Sequence, residues 1–205
     1  MSAVKLKVCG ITCLEDALLA IDCGADYLGF NFYAKSPRYV SPATARAIIQ
    51  RTETRAVPVG VFVNEPVVEV LRLMEVSGVR LAQLHGHEDA TFSETVGSER
   101  VIKVIRPLFD FEIATVMSFP AAIFLVDASN EKLFGGTGHT ANWTIAAELA
   151  LLHPTFLAGG IGPANVREAI AQVKPFGIDV NSAVESEPGR KDRERLELLR
   201  LEMNR

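Results

Sequence analysis

The stretch Lys7-Val8-Cys9-Gly10-Ile11-Thr12, KVCGIT, ends an apolar run at a thiol and turns at once on a glycine. The run from Val4 to Val8 is short and β-branched, so it reads as a strand. Thr12, with Glu15 three residues later, has the pattern of a capping box and predicts a helix start. Leu14, Ala17, Leu18 and Ile21 then form one apolar stripe at helical spacing, and Gly24 follows as a stop. The thiol therefore stands at a strand tip, facing a helix start.

The same unit recurs down the chain. Apolar runs at 27–32, 57–63, 80–84, 101–105, 122–126, 155–158 and 177–180 predict seven more strands. Ser41-Pro42 reads as a cap with proline in the first helical turn. Asn64 opens a helix with Val67, Val70, Leu71 and Met74 on one face, closed by Gly78. Further helices are expected from Asp89, over 109–117, from Asn142, at Pro163, and from about Lys191, the last with Leu196, Leu199 and Met203 on one face. Eight strand-plus-helix units share 205 residues, about 26 each on dividing 205 by eight. Near-continuous apolar strands suit a parallel sheet covered by helices. Eight such units predict a closed (β/α)8 barrel spanning 1–205 as one domain, rather than a doubly wound open sheet with fewer strands. No low-complexity tract or Pro/Ser-rich linker interrupts the pattern.

Composition agrees with a soluble globular protein: 48% apolar and 22% charged. A chain of this size buries a sizeable core without disulfides or metal. The net charge of −4 supplies no whole-chain case for nucleic acid or an anionic membrane, although local basic groups remain free to bind a small anion. Three cysteines, all within the first 23 residues, are an odd number and read as reduced thiols. With no leader pattern and no apolar run of membrane-spanning length, a cytoplasmic protein is expected.

In such a barrel, function gathers where strands end and helices begin. The residues there are Cys9, then Ser36-Pro37-Arg38, Gln83 and His85, Arg106, Asp127, Gly159-Gly160, and Asp179 with Asn181. Each has a plain structural reading. Cysteine packs as a small apolar group, aspartate caps turns, and arginine is a solvated loop charge. Convergence at one mouth favours chemistry for all of them together. The AGG after strand seven and the NSA after strand eight occupy the place where barrels hold a phosphate on backbone N–H groups. The GGTG at 135–138 either covers that phosphate or supplies flexibility. Cys9, Cys13, His85 and His87 lack a recognised metal-ligand spacing, and no GxGxxG follows a strand, so neither metal nor nucleotide cofactor is expected.

Together KVCGIT, EDAL, GADYLGF, SPRYV, VGVFVN, QLHGHE, VIK, the Asp127 strand end, GGTG, LAGGIGPANV and EPGRKD resemble the phosphoribosylanthranilate isomerase family of tryptophan biosynthesis, over nearly the full chain. The resemblance implies a (β/α)8 barrel and a cofactor-free Amadori rearrangement of a small phosphosugar; the sequence leaves monomer and homodimer open. The resemblance implies Cys9 as general base and Asp127 as general acid. Arg38 would meet the anthranilate carboxylate; Gln83, His85 and Asp179, taken from their strand-end positions alone, are expected to contact substrate. Gly159, Gly160, Asn181 and Ser182 would hold the phosphate. Four positions depart from the family pattern: Asn181 and Ala183, in a loop that usually reads Ser-Ser-Gly, Asn142 where an aspartate is usual, and Asn31 where an apolar residue is usual. A positive φ at Ala183 would strain the phosphate loop. The alternatives are a related aldose–ketose isomerase of histidine synthesis, in which two carboxylates do the work, and a phosphate-binding barrel without catalysis.

Overall fold

A computed structural model of the chain describes residues 3–52, 55–106, 112–128 and 138–205. The eight expected strands form within two residues of their sequence bounds. They are β1 (Lys5–Val8), β2 (Tyr27–Asn31), β3 (Val57–Phe62), β4 (Leu81–Leu84), β5 (Val101–Ile105), β6 (Ile123–Asp127), β7 (Thr155–Ala158) and β8 (Gly177–Val180). They pair in chain order, and β8 returns to β1 to close the barrel. Every pairing in the barrel is parallel, as the apolar runs require. The helices between them are α1 (Leu14–Asp22), α2 (Pro42–Thr52), α3 (Val67–Ser77), α4 (Ala90–Val96), α5 (Ile113–Met117), α6 (Gly138–Leu152), α7 (Val166–Val173) and α8 (Arg193–Met203).

Strand side chains alternate between two cores. Leu6, Val8, Leu28, Phe30, Leu84 and Val126 join the layer beneath the helices. Val59, Ile102, Val104, Ile123, Leu125 and Phe156 fill the barrel itself. Period two therefore assigns one face of each strand to the interior. At the N-terminal end, Tyr27, Phe156 and Phe176 meet edge to face, with ring centroids 5.2, 5.4 and 6.4 Å apart. Apolar rings plug that end, and polar inward residues collect at the other.

Several local expectations change. Thr12 does not cap α1. Its hydroxyl donates instead to Gly189 O at 2.7 Å, and Cys13 stands at the cap without a side-chain bond. Asn142 lies inside α6 rather than at its start. Pro163 sits in a turn in which Asn165 N and Val166 N both donate to Gly162 O, and the regular helix begins at Val166. Lys191 belongs to a short hairpin of β9 (Glu185–Glu187) and β10 (Arg190–Lys191), and α8 starts after Asp192, whose carboxylate accepts from Arg195 N. Ser41 and Asp89 cap as expected, accepting from Thr44 N and Phe92 N. The start of the 109–117 helix and residues 135–137 of GGTG lie outside the described residues.

Gly177 shows how tightly the aromatic plug is set. A Cβ there would stand 2.8 Å from Lys5 O and press into the Phe156 ring. Gly177→Ala is expected to lower stability by about 1–3 kcal/mol, the usual cost of overpacking. Urea unfolding checks this, and an unchanged midpoint would contradict it.

Candidate active site

The inward alternation places Lys7 and Cys9 together on β1 and its tip. Asp179 and Asn181 are the matching pair on β8. Lys7 and Asp179 are register partners, and the Lys7 ammonium donates to the Asp179 carboxylate at 2.8 Å, both side chains buried. Cys9 N donates to Val180 O at 2.9 Å, which pins the thiol to the same seam. The sulfur packs over β2, where a Cβ on Gly29 would come within 2.6 Å of it. Glycine is required at that position because the thiol fills the space.

Cys9, Gln83, His85, Asp127 and Asp179 line one cavity of about 270 Å³ at the C-terminal mouth. Gly159, Gly160, Asn181 and Ser182 complete it on the β7–β8 side. Arg38 is the expected site residue outside this lining. Its stem lies beside Gly10 and Asn181, and its guanidinium is held by Glu185.

Gly159 and Gly160 have φ of +91° and +69°, the left-handed region that glycine enters without strain. Asn165 clamps their loop: its Nδ2 donates to Gly160 O, and its Oδ1 accepts from Gly162 N. Ala183 lies in a 3-10 turn over Ser182–Val184 and has no positive φ. Its methyl fills the space above Gly162, where an added Cβ would stand 2.7 Å away. The substitution is therefore absorbed without backbone strain.

His85 is set by two shells. Lys103 donates to Gly86 O, Glu88 O and the Glu88 carboxylate, and Glu88 accepts in turn from Asn64 N and Gly86 N. That buried node fixes the loop that follows β4. Gln83 Nε2 donates to His85 Nδ1 at 3.2 Å, which puts the ring proton on Nε2. Nε2 then faces the Asp127 carboxylate at 4.0 Å. Burial, with Arg106 nearby, pulls the His85 pKa down to about 4, so the ring is neutral at pH 7. Gln83 Oε1 is buried with no hydrogen-bond partner among the described residues, an acceptor at the cavity wall awaiting a donor.

The charges are unevenly distributed. Burial pushes the Cys9 thiol up, and the Lys7 and Lys191 ammoniums offset only part of that, so the thiol is protonated at neutral pH. Burial pulls Lys7 down, but Asp179 and Cys9 outweigh it and Lys7 stays charged. Among the described residues, no group of three His, Cys, Asp or Glu could hold a metal ion, and no helix is long and apolar enough to cross a membrane.

Three residues near the site, Lys7, Glu185 and Lys191, escaped sequence reasoning, and Asn31 was marked only as a departure from the family pattern. Lys7 read as part of an apolar strand; its period-two spacing to Cys9 was the available signal. Asn31 lines the cavity, and its amide holds Tyr33 N and Ser36 Oγ, which in turn accepts from Arg38 N. Glu185 and Lys191 sat in a polar run with no periodicity to mark burial.

A closed (β/α)8 barrel that gathers a thiol, two carboxyls and a glycine loop around one cavity at its C-terminal mouth has the layout of a barrel enzyme. Residues 6–200 match the family described as N-(5'phosphoribosyl)anthranilate (PRA) isomerase, and the chain belongs to that family. It is 45% identical over 193 residues to the N-(5'-phosphoribosyl)anthranilate isomerase of Geobacter sulfurreducens, covering 94% of this chain and 95% of that one. It is similar to the crystal structure of the phosphoribosyl anthranilate isomerase of Thermotoga maritima at 36% identity and a TM-score of 0.87, with 98% of each chain covered. A further solved isomerase, in complex with reduced 1-(o-carboxyphenylamino)-1-deoxyribulose 5-phosphate, aligns at 33% identity and a TM-score of 0.85, again over 98% of each chain.

The His85 environment is directly measurable. Its folded pKa of about 4 lies below the ordinary 6.5, so on acidification the unfolded chain binds the proton first. His85 therefore withdraws stability as pH falls from 6.5 to about 4. NMR titration is expected to show a neutral ring with the proton on Nε2 throughout pH 5–8, and a midpoint between pH 6 and 7 would contradict this environment.

Proposed function

We propose that this chain catalyses the Amadori rearrangement of N-(5-phosphoribosyl)anthranilate to 1-(2-carboxyphenylamino)-1-deoxyribulose 5-phosphate, a step of tryptophan biosynthesis. The observation that carries this is the single cavity shared by Cys9, Asp127 and the Gly159–Gly160 loop. Family membership and the relative solved with the reduced product analogue support it.

The reaction moves protons only. Asp127, as general acid, gives a proton to the ribose ring oxygen as the C1–O bond breaks, leaving an iminium between C1 and nitrogen. The iminium acidifies the hydrogen on C2. Cys9, as thiolate, takes that hydrogen, and the C2–H electrons form the C1=C2 bond of an enolamine. Loss of the C2 hydroxyl proton and protonation at C1 give the ketone. General acid–base catalysis of this kind accounts for factors of about 10²–10⁴ per group.

The surrounding groups suit these steps. The Lys7 ammonium beside the thiol offsets the cost of a buried sulfur anion. His85, neutral with Nε2–H toward Asp127, stabilises the carboxylate left after proton donation. Gln83 Oε1 accepts from a ribose hydroxyl, and Asp179, fixed by Lys7, faces the same sugar. Gly159, Gly160, Asn181 and Ser182 hold the phosphate, whose binding energy orients the sugar. Arg38 receives the anthranilate carboxylate.

Cys9→Ser and Asp127→Asn are each expected to lower kcat by at least about a hundredfold, read by loss of substrate fluorescence. A near-normal rate in either would contradict the assigned role. The base must lose its proton to act, and its thiol lies above the ordinary value. The ultraviolet thiolate absorbance that Cys9→Ser removes is therefore expected to titrate above the ordinary thiol value in the parent chain, and a midpoint below it would contradict this environment.

A further inference from the structure

The β9–β10 hairpin, sequence ESEPGRK, sends two charged side chains into the protein. Glu185 and Lys191 have side chains only 3% and 0% exposed. Neither belongs to the barrel layers, and neither lines the cavity. The hairpin is strapped to the first barrel unit, since Lys191 N donates to Asp16 Oδ2 at 2.9 Å and Gly189 O accepts from Thr12. Buried charges fixed this firmly at the rim of a site call for an explanation.

The contacts are specific. Arg38 Nε donates to both Glu185 oxygens at 3.0 Å, and Nη2 donates to one of them at 2.6 Å. Glu185 therefore occupies one complete edge of the guanidinium. The other edge, Nη1 with the second Nη2 hydrogen, makes no hydrogen bond among the described residues. A guanidinium held this way has one edge left for a planar carboxylate. An Arg–Glu pair alone is neutral, however, and attracts an anion weakly. Lys191 restores the balance: its ammonium donates to Glu185 Oε1 at 2.8 Å and to Asn181 Oδ1 at 3.2 Å. Two cations and one carboxylate leave the cluster with one net positive charge.

We propose that Arg38, Glu185 and Lys191 form a charge-balanced receptor for the substrate's aryl carboxylate. Glu185 orients the guanidinium, and Lys191 supplies the net charge without touching the ligand. Lys191 is then a specificity-determining residue, and Glu185 a positioning residue. The proposal rests on the reading of Arg38 given above and names what makes that reading work.

The test compares two ligands by calorimetry. One is reduced 1-(o-carboxyphenylamino)-1-deoxyribulose 5-phosphate. The other is its phenylamino counterpart, which lacks the carboxylate. Sugar and phosphate are common to both, so the ratio of their Kd values isolates the carboxylate. Lys191→Met takes the cluster to zero net charge and is expected to reduce that ratio by at least about fivefold, the scale of one unit charge acting at an effective dielectric near 20. Glu185→Gln sets an N–H against the guanidinium and is expected to lower the ratio by at least about threefold although the cluster gains a positive charge, an outcome that orientation predicts and charge alone does not. Lys191→Arg keeps the charge and should keep the ratio.

A ratio unmoved in Lys191→Met, a ratio unchanged or raised in Glu185→Gln, or loss of the ratio in Lys191→Arg would each overturn the proposal. Arg38→Ala separates the two readings. If it leaves the ratio intact, Arg38 does not receive the carboxylate. If it abolishes the ratio while Lys191→Met does not, Arg38 stands and the charge-balanced receptor falls.

Discussion

The site depends on the buried ion pair between Lys7 and Asp179 across the seam where β8 meets β1. Removing two charges from water costs several kcal/mol each, and only close geometry offsets it. Here the two residues are register partners, so barrel closure itself brings them to 2.8 Å. The same ammonium neighbours the Cys9 sulfur, one inward position further along the strand. A bond that spans the seam also sets the electrostatics of the thiol. Breaking either partner would leave the other uncompensated directly beneath the cavity.

The remaining scaffold divides the barrel into two ends. Aromatic rings plug the N-terminal end, and inward residues of increasing polarity lead to the mouth. Neighbouring side chains hold several of the polar groups there. Gln83 turns His85, the Lys103–Glu88 node sets the loop that carries it, and Asn165 stiffens the glycine loop. Preorganisation of this kind lets charge develop in a reaction without large rearrangement of the protein.

The barrel was legible because two periods repeat without interruption. Strands of four to six residues alternate with helical stripes, and all eight strands stood within two residues of their sequence bounds. Cys9, Asp127 and the Gly159–Gly160 loop were legible for the same reason, since each marks a strand end in a fold whose strand ends share one mouth. What escaped was non-local. Thr12 and Glu15 have the local spacing of a capping box, but a hairpin about 177 positions away takes the Thr12 hydroxyl. Glu185 and Lys191 look like loop charges until the Glu185 carboxylate is seen to hold Arg38, 147 positions earlier. The significance of Ala183 also depended on a backbone angle that composition does not carry, and the structure shows it free of strain.

The most direct measurement is a crystal structure of this chain with reduced 1-(o-carboxyphenylamino)-1-deoxyribulose 5-phosphate bound. The expected result places the Cys9 sulfur and an Asp127 carboxylate oxygen on the two sides of the sugar chain, each within about 4 Å of the carbon or oxygen it serves. The phosphate should rest on the Gly159–Gly160 loop. A ligand seated elsewhere, or one that reaches the sulfur but leaves the carboxylate beyond about 6 Å, would contradict a shared acid and base.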